Sequence, residues 1–232
     1  MTTSTTTPAT PPETPRQEAR WVRPALAVVA AVGLLLLGAA GGLLLGMPAS
    51  SQSGVPEPGS VDVGFAQDMT VHHQQAVTMA SWERDRTTDP VLHQLAADIE
   101  ATQLGQIGRM QGWLSLWGAA ALPPGEHMAW MTEPGHDHGA ASANGVNTMP
   151  GMASEEELAA LRAASGPELD VLFLQLMLRH HQGGAEMLSY AAEHASVPQV
   201  RNLAGQMLRS QSVETDYLRQ LLAERGGQPL PM

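Results

Sequence analysis

The sequence predicts an all-α protein, an antiparallel four-helix bundle built from two duplicated αα-hairpins and preceded by one transmembrane helix. Three observations lead there. Aromatic residues are only 4% of the chain while Ala, Leu and Met abound, which favours helix over sheet. The segment from Ala25 to Met47 carries no charge and is long enough, at helical rise, to cross a bilayer. Beyond it, the chain repeats itself at one constant offset, the mark of an internal duplication.

Residues 1–24 are rich in Thr and Pro, bury no core and read as a disordered cytoplasmic tail. Arg16, Arg20 and Arg23 stand just before the span, whereas the next basic residue is Arg84, so the positive-inside bias keeps the N-terminus in the cytoplasm. Residues 25–47 then form the membrane anchor, and everything after Pro48 lies outside. The competing reading is secretion after signal cleavage, since Ala49-Ser50-Ser51 offers small residues to a peptidase. Gly38, Gly42 and Gly46 recur every fourth residue, a face through which two copies could pair as a homodimer. Residues 48–60 form a Ser/Pro/Gly linker.

The duplicated region spans 61–228. Phe65-Ala-Gln-Asp-Met-Thr-Val-His-His-Gln aligns without a gap on Phe173-Leu-Gln-Leu-Met-Leu-Arg-His-His-Gln, and the register continues through Pro90 with Pro198, Gln103 with Gln211, and Gly118 with Gly226. Within each repeat a helix runs to about Arg86 or His194. A break follows at Asp89-Pro90 or Ser196-Val197-Pro198, where a capping residue precedes a proline tolerated in the first helical turn, and a second helix then runs to a glycine stop. The hairpins are 61–118 and 167–226. The connection, 119–166, is rich in His and Met and ends in a short helix opened by the capping box Ser154-x-x-Glu157.

Composition narrows the chemistry. Cysteine is absent, which removes disulfides, thiolate metal sites and cysteine nucleophiles, and leaves His, Met and carboxylates as the available ligands. The formal charge is -11 and no lysine occurs, so a nucleic-acid partner is not expected, while cations are attracted.

On a helical wheel Phe65, Met69, His72, Ala76 and Met79 fall on one stripe, with His73 at its edge. Phe173, Met177, His180, Gly184 and Met187 reproduce it, with His181 at the edge. A stripe of Met and Phe is usually core. Two His-His pairs at matching positions are another matter, because packing alone has little need of two polar rings at one level of each hairpin. The metal ligands expected are therefore Met69, His72, His73, Met79, Met177, His180, His181 and Met187. Imidazole with thioether suits copper, Cu(I) favouring sulfur and Cu(II) nitrogen. Ala76, Gly183 and Gly184 would leave room for close approach. Glu83 and Glu186 could complete a site but are read first as solvated helix charges, and His93 and His194 as surface residues. A second metal site is expected in the connection, from His127, His136, His138, Met149 and Met152.

The patterns Met-x-x-His-His-Gln at 69–74 and 177–182, with Met149-Pro-Gly-Met152 and the Ser154-Glu-Glu-Glu-Leu helix between them, resemble the bacterial ferritin-like domain-of-unknown-function family numbered three hundred and five. The resemblance covers about residues 61–226 and implies an extracytoplasmic, ferritin-like four-helix bundle with copper as its ion. Unlike di-iron ferritins, the motif helices lack Glu-x-x-His; Met69 and Met177 stand three residues before His72 and His180, which counts against oxidase or iron-storage chemistry.

The function expected is non-enzymatic copper capture or homeostasis outside the membrane, with the connection as point of arrival or second site. The alternatives are a ferritin-like metal oxidase or reductase and a metal-free structural or interaction bundle. A site of ordinary imidazoles should release its metal as the medium is acidified through about pH 6 to 5.

Overall fold

The computed structural model of the protein describes residues 54–131 and 145–232. The expected tail, the span 25–47 with its three spaced glycines, much of the linker, and His136 and His138 lie outside the described residues. Among the described residues no helix is long and apolar enough to cross a membrane. The regular elements there are five helices: α1 (Val61–Arg86), α2 (Pro90–Trp117), α3 (Glu155–Ala163), α4 (Pro167–His194) and α5 (Pro198–Glu224).

Local chemistry sets most boundaries. Ser60 opens α1 by accepting from the Val63 N–H. The Asp89 carboxylate accepts from Val91 and Leu92 N–H, and Pro90 follows in the first turn, where its missing N–H costs nothing. Gly118, at φ 64°, closes α2 in the left-handed conformation that glycine adopts without strain. The capping box of α3 forms as expected, Ser154 Oγ accepting from Glu157 N–H and the Glu157 carboxylate accepting from Ser154 N–H.

The start of α5 differs from expectation. Val197 occupies the cap position and has no oxygen to offer. The cap comes instead from Asp62 in the first turn of α1, whose carboxylate accepts from Ser196 N–H at 2.9 Å and Val197 N–H at 2.8 Å. Its counterpart in the duplication, Asp170 on α4, accepts from Thr87 Oγ1 at 2.8 Å. Each hairpin's turn is thus tied down by the first turn of the other hairpin's leading helix, and α1 and α4 run antiparallel.

Within the hairpins α1 packs on α2 and α4 on α5, and the two hairpins meet through α1 and α4, with α3 against both. One end of the core holds Met79, Leu92, Ile99, Phe173, Leu174 and Met177, the other Phe65, Met69, Met110, Met149, Met187 and Met207. Each such fully buried side chain stabilises the fold by roughly 1.5–3 kcal/mol relative to exposure.

The connection is fastened rather than loose where it is described. The buried Asp68 carboxylate accepts from His127 Nδ1 at 2.6 Å, Met128 N–H at 2.6 Å and Trp130 Nε1 at 2.8 Å. Trp130 lies against Gly64, where a Cβ would come within 2.3 Å of the indole. Further on, the Gln75 amide both donates to the Ala153 carbonyl and accepts from its N–H. Arg86 then donates to the carbonyls of Leu161, Arg162 and Ala164 and so satisfies the C-terminus of α3.

Candidate metal centre

Antiparallel packing of α1 on α4 turns the two stripes toward each other. His72 and His180 meet with ring centroids 3.8 Å apart and planes tilted by 37°. Within each pair the rings stand farther apart, 6.4 Å for His72 and His73 and 6.3 Å for His180 and His181, as adjacent residues a quarter-turn apart on one helix must. All four histidines are buried.

Every ring has the same bonding pattern. The Nε2 atoms lie 3.3 Å from the Pro150 carbonyl (His72), 2.8 Å from Gln106 Oε1 (His73), 3.0 Å from the His72 carbonyl (His180) and 2.8 Å from Glu214 Oε2 (His181). Each of these acceptors is an oxygen without a hydrogen, so Nε2 must donate, and a neutral ring then carries its proton there. The Nδ1 atoms are left as bare lone pairs. All four are buried and have no hydrogen-bond partner among the described residues. One buried unsatisfied polar atom costs about 1–3 kcal/mol, so four in one layer form a costly set of nitrogen donors.

Burial also disfavours the charged form of His72, His73 and His180. Desolvation lowers His72 from 6.5 to about 4, its bond to Pro150 pulling the other way, and lowers His73 to about 3, with the neighbouring His72 adding to the effect. His180 is driven well below its ordinary value for the same first reason. Proton competition for these rings therefore sets in below the pH 6 to 5 window that ordinary imidazoles predict.

Four methionines named from the sequence, Met69, Met79, Met177 and Met187, are fully buried, but they divide. Met79 and Met177 belong to one end of the core, and Met69 and Met187 to the other. Met149 is buried in the same cluster as Met69 and Met187, and Met152 packs against it. Two glycines allow this. A Cβ at Gly183 would fall 2.3 Å from the carbonyl of Pro150, and one at Gly184 would fall 3.0 Å from His72 Cε1. Gly183 thus admits the backbone of the Met149-Pro150-Gly151-Met152 segment, and Gly184 admits the His72 ring.

Other expected residues are disposed differently. His127 commits Nδ1 to Asp68 and pairs its backbone with Val146, so it anchors the connection. Among the described residues no three His, Asp or Glu side chains gather closely enough to hold an ion by themselves.

Glu83 is not the solvated charge expected. It is fully buried, and burial together with the adjacent Asp170 carboxylate pushes it up to about 8. Glu186, His93 and His194 are exposed, as expected.

Sequence reasoning missed Gln106 and Glu214, the two side chains that orient the edge histidines. A signal existed: each lies 33 positions beyond its histidine, so they are equivalent in the duplication. The same holds for the buried glutamines Gln103 and Gln211, which served only to mark the register and which both retain unpartnered amide atoms.

Comparison with known proteins places this geometry among relatives. The family model described as a domain of unknown function, DUF305, matches residues 62–222. A Streptomyces coelicolor structure described as a candidate secreted DUF305 protein is 40% identical, covers 76% of this chain and 100% of its own, and superposes with a TM-score of 0.67. A DUF305 fragment from Deinococcus radiodurans is 32% identical over 73% of this chain and 99% of its own, with a TM-score of 0.57. CopM in its Cu(II)-bound form is 28% identical over 70% of this chain and 96% of its own, with a TM-score of 0.52. The chain spans 35% of the length of a curated relative it matches, an uncharacterised protein of Acanthamoeba polyphaga mimivirus, 40% identical over 53 residues.

Proposed function

Because the chain belongs to the DUF305 family, we propose that its bundle captures a soft cation, copper foremost, as a binding protein rather than an enzyme. One observation carries this reading: four buried imidazoles, each donating Nε2–H to an oxygen, keep four unpartnered Nδ1 lone pairs in one layer. Neutral nitrogen beside thioether sulfur is the donor chemistry that soft ions prefer. The orienting oxygen behind each ring is the arrangement that holds ligating histidines in position. Similarity to CopM, solved with Cu(II) and with Cu(I), supports the same class of cargo.

The ligands in this reading are His72, His73, His180 and His181 with Met69 and Met187 from the bundle and Met149 and Met152 from the connection; Met79 and Met177 serve the opposite side of the layer. The duplicated hairpins form a ferritin-like antiparallel four-helix bundle, held outside the cell membrane by the charge-free segment 25–47. The arginines before that segment support this orientation, and the candidate secreted relative supports an extracytoplasmic setting.

Titration of the full-length chain in detergent with Ag(I), a redox-stable stand-in for Cu(I), and with Cu(II) tests the reading. Replacing all four histidines by Gln should abolish the histidine-dependent binding of either ion. Unchanged stoichiometry and affinity in that variant would remove the histidine layer as the site.

A further inference from the structure

The duplication places Gln106 and Glu214 at equivalent positions, each accepting the Nε2–H of its edge histidine at 2.8 Å. In size and reach the two side chains are nearly the same. In charge they differ, since one is a neutral amide and the other a carboxylate. The duplication thus preserves the hydrogen bond on both sides while keeping formal charge on one.

That difference matters because every other donor at this level is uncharged. Thioethers carry no charge, the contacts behind His72 and His180 are backbone carbonyls, and the contact behind His73 is a neutral amide. The nearby Arg179 guanidinium is already engaged by both oxygens of Glu157. Glu214 is therefore the one carboxylate among the described residues that hydrogen-bonds to any of the four rings. An ion entering a buried layer loses its hydration, and the loss is tolerable only when opposite charge stands close by. One carboxylate matches one positive charge. A divalent ion would leave a net charge stranded in a low-dielectric core.

Resting on the reading that this layer holds a cation, we propose that Glu214 and Gln106 select the ion by charge. Glu214 supplies the single counter-charge for a monovalent soft cation, and the neutral Gln106 withholds the second charge that a divalent ion would need. Glu214 acts as a positioning and charge-balancing residue through His181 and does not itself touch the ion. A carboxylate behind a ligating imidazole also fixes the orientation of the ring.

The test measures Ag(I) and Cu(II) affinities of the full-length chain in detergent for the wild type, Glu214→Gln, Gln106→Glu and the double exchange, with helicity and melting followed for each. Glu214→Gln should weaken Ag(I) about tenfold or more, the scale seen when such supporting groups are lost. Gln106→Glu should raise Cu(II) affinity relative to Ag(I) by a similar factor, about tenfold. The double exchange keeps one carboxylate and moves it to the other hairpin, so it should restore the wild-type ratio of the two ions. A merely structural role for either residue would not produce that restoration. If Gln106→Glu fails to fold, the loss of Ag(I) affinity in Glu214→Gln, a side chain of the same size, decides alone. A histidine-dependent site whose ion ratio ignores both exchanges would overturn the charge assignment and leave the site standing. Ag(I) binding that survives replacement of all four histidines would overturn the site itself.

Discussion

The Nε2–H of His180 donates to the backbone carbonyl of His72 across 3.0 Å while the two rings lie with centroids 3.8 Å apart. One repeat's motif is therefore oriented by the other repeat's backbone, even though a helical carbonyl is normally occupied by its own helix. Such a bond requires α1 and α4 to approach closely at this level, and Gly184 on α4 provides the clearance for the His72 ring.

Gly183→Ala should accordingly be the more damaging of the two glycine substitutions. Its Cβ would meet the Pro150 carbonyl carbon and oxygen at 2.3 Å, both backbone atoms with nowhere to go, whereas at Gly184 the neighbour is a ring edge at 3.0 Å. Overpacking of this kind costs about 1–3 kcal/mol. Thermal melts should show a clear loss for Gly183→Ala and a smaller one for Gly184→Ala; equal melts for Gly183→Ala and wild type would show that segment 149–152 does not rest on α4.

Acid should unfold the metal-free protein through its histidines. In the folded state His72 and His73 titrate near 4 and 3, below the 6.5 of the unfolded chain, and His180 is lowered as well. Between those values the unfolded state binds more protons, so stability is complete above about pH 6.5 and falls as pH drops toward 4, by about 1.4 kcal/mol per unit for each such ring. Replacing His72 and His73 by Gln should flatten the acid limb of a plot of melting temperature against pH. A limb of unchanged slope would mean that these rings are not held neutral.

Glu83 acts with the opposite sign. Its folded value, about 8, lies above the 4.5 of an unperturbed carboxyl, so the folded state holds the extra proton. The stability linked to it is present below about pH 4.5 and is lost as pH rises toward 8. Glu83→Gln, which is neutral at every pH, should raise the melting temperature at pH 8 and have little effect at pH 4.5. Equal effects at both pH values would contradict a protonated Glu83.

Asp68 should control the order of the connection more than the stability of the bundle helices. Its carboxylate serves three donors, two of them on consecutive residues of the connection. Asp68→Ala strands the Met128 N–H and the Trp130 indole, at about 1–3 kcal/mol for each unsatisfied group. Limited proteolysis should then cut near residues 126–130 much faster than in the wild type, while α-helical content is retained. Resistance equal to wild type would assign the anchoring to other contacts.

Much of the fold is legible in one dimension because its determinants are local or periodic. Helix stops such as Gly118, caps such as Asp89 and Ser154, and the stripe from Phe65 to Met79 depend on neighbours within a few residues, and the duplication repeats them. The misreadings concern partners distant in sequence. Val197 shows no cap because its cap is Asp62, 135 residues away. Glu83 looks like a solvated charge on a helix wheel, yet α4 brings Asp170 beside it and closes it from water.

By itself, then, the sequence determined the helices, the duplication and the identity of the four paired histidines, since those follow from composition, period and a constant offset. The tertiary structure alone decided which nitrogen of each ring is free. That depends on an oxygen supplied by another segment: Pro150, Gln106, the His72 carbonyl or Glu214, at separations from 33 to 108 residues. It also decided that Met149 joins Met69 and Met187 in one cluster, because a connection can enter a helical interface only where the facing side chains are absent, and at Gly183 they are.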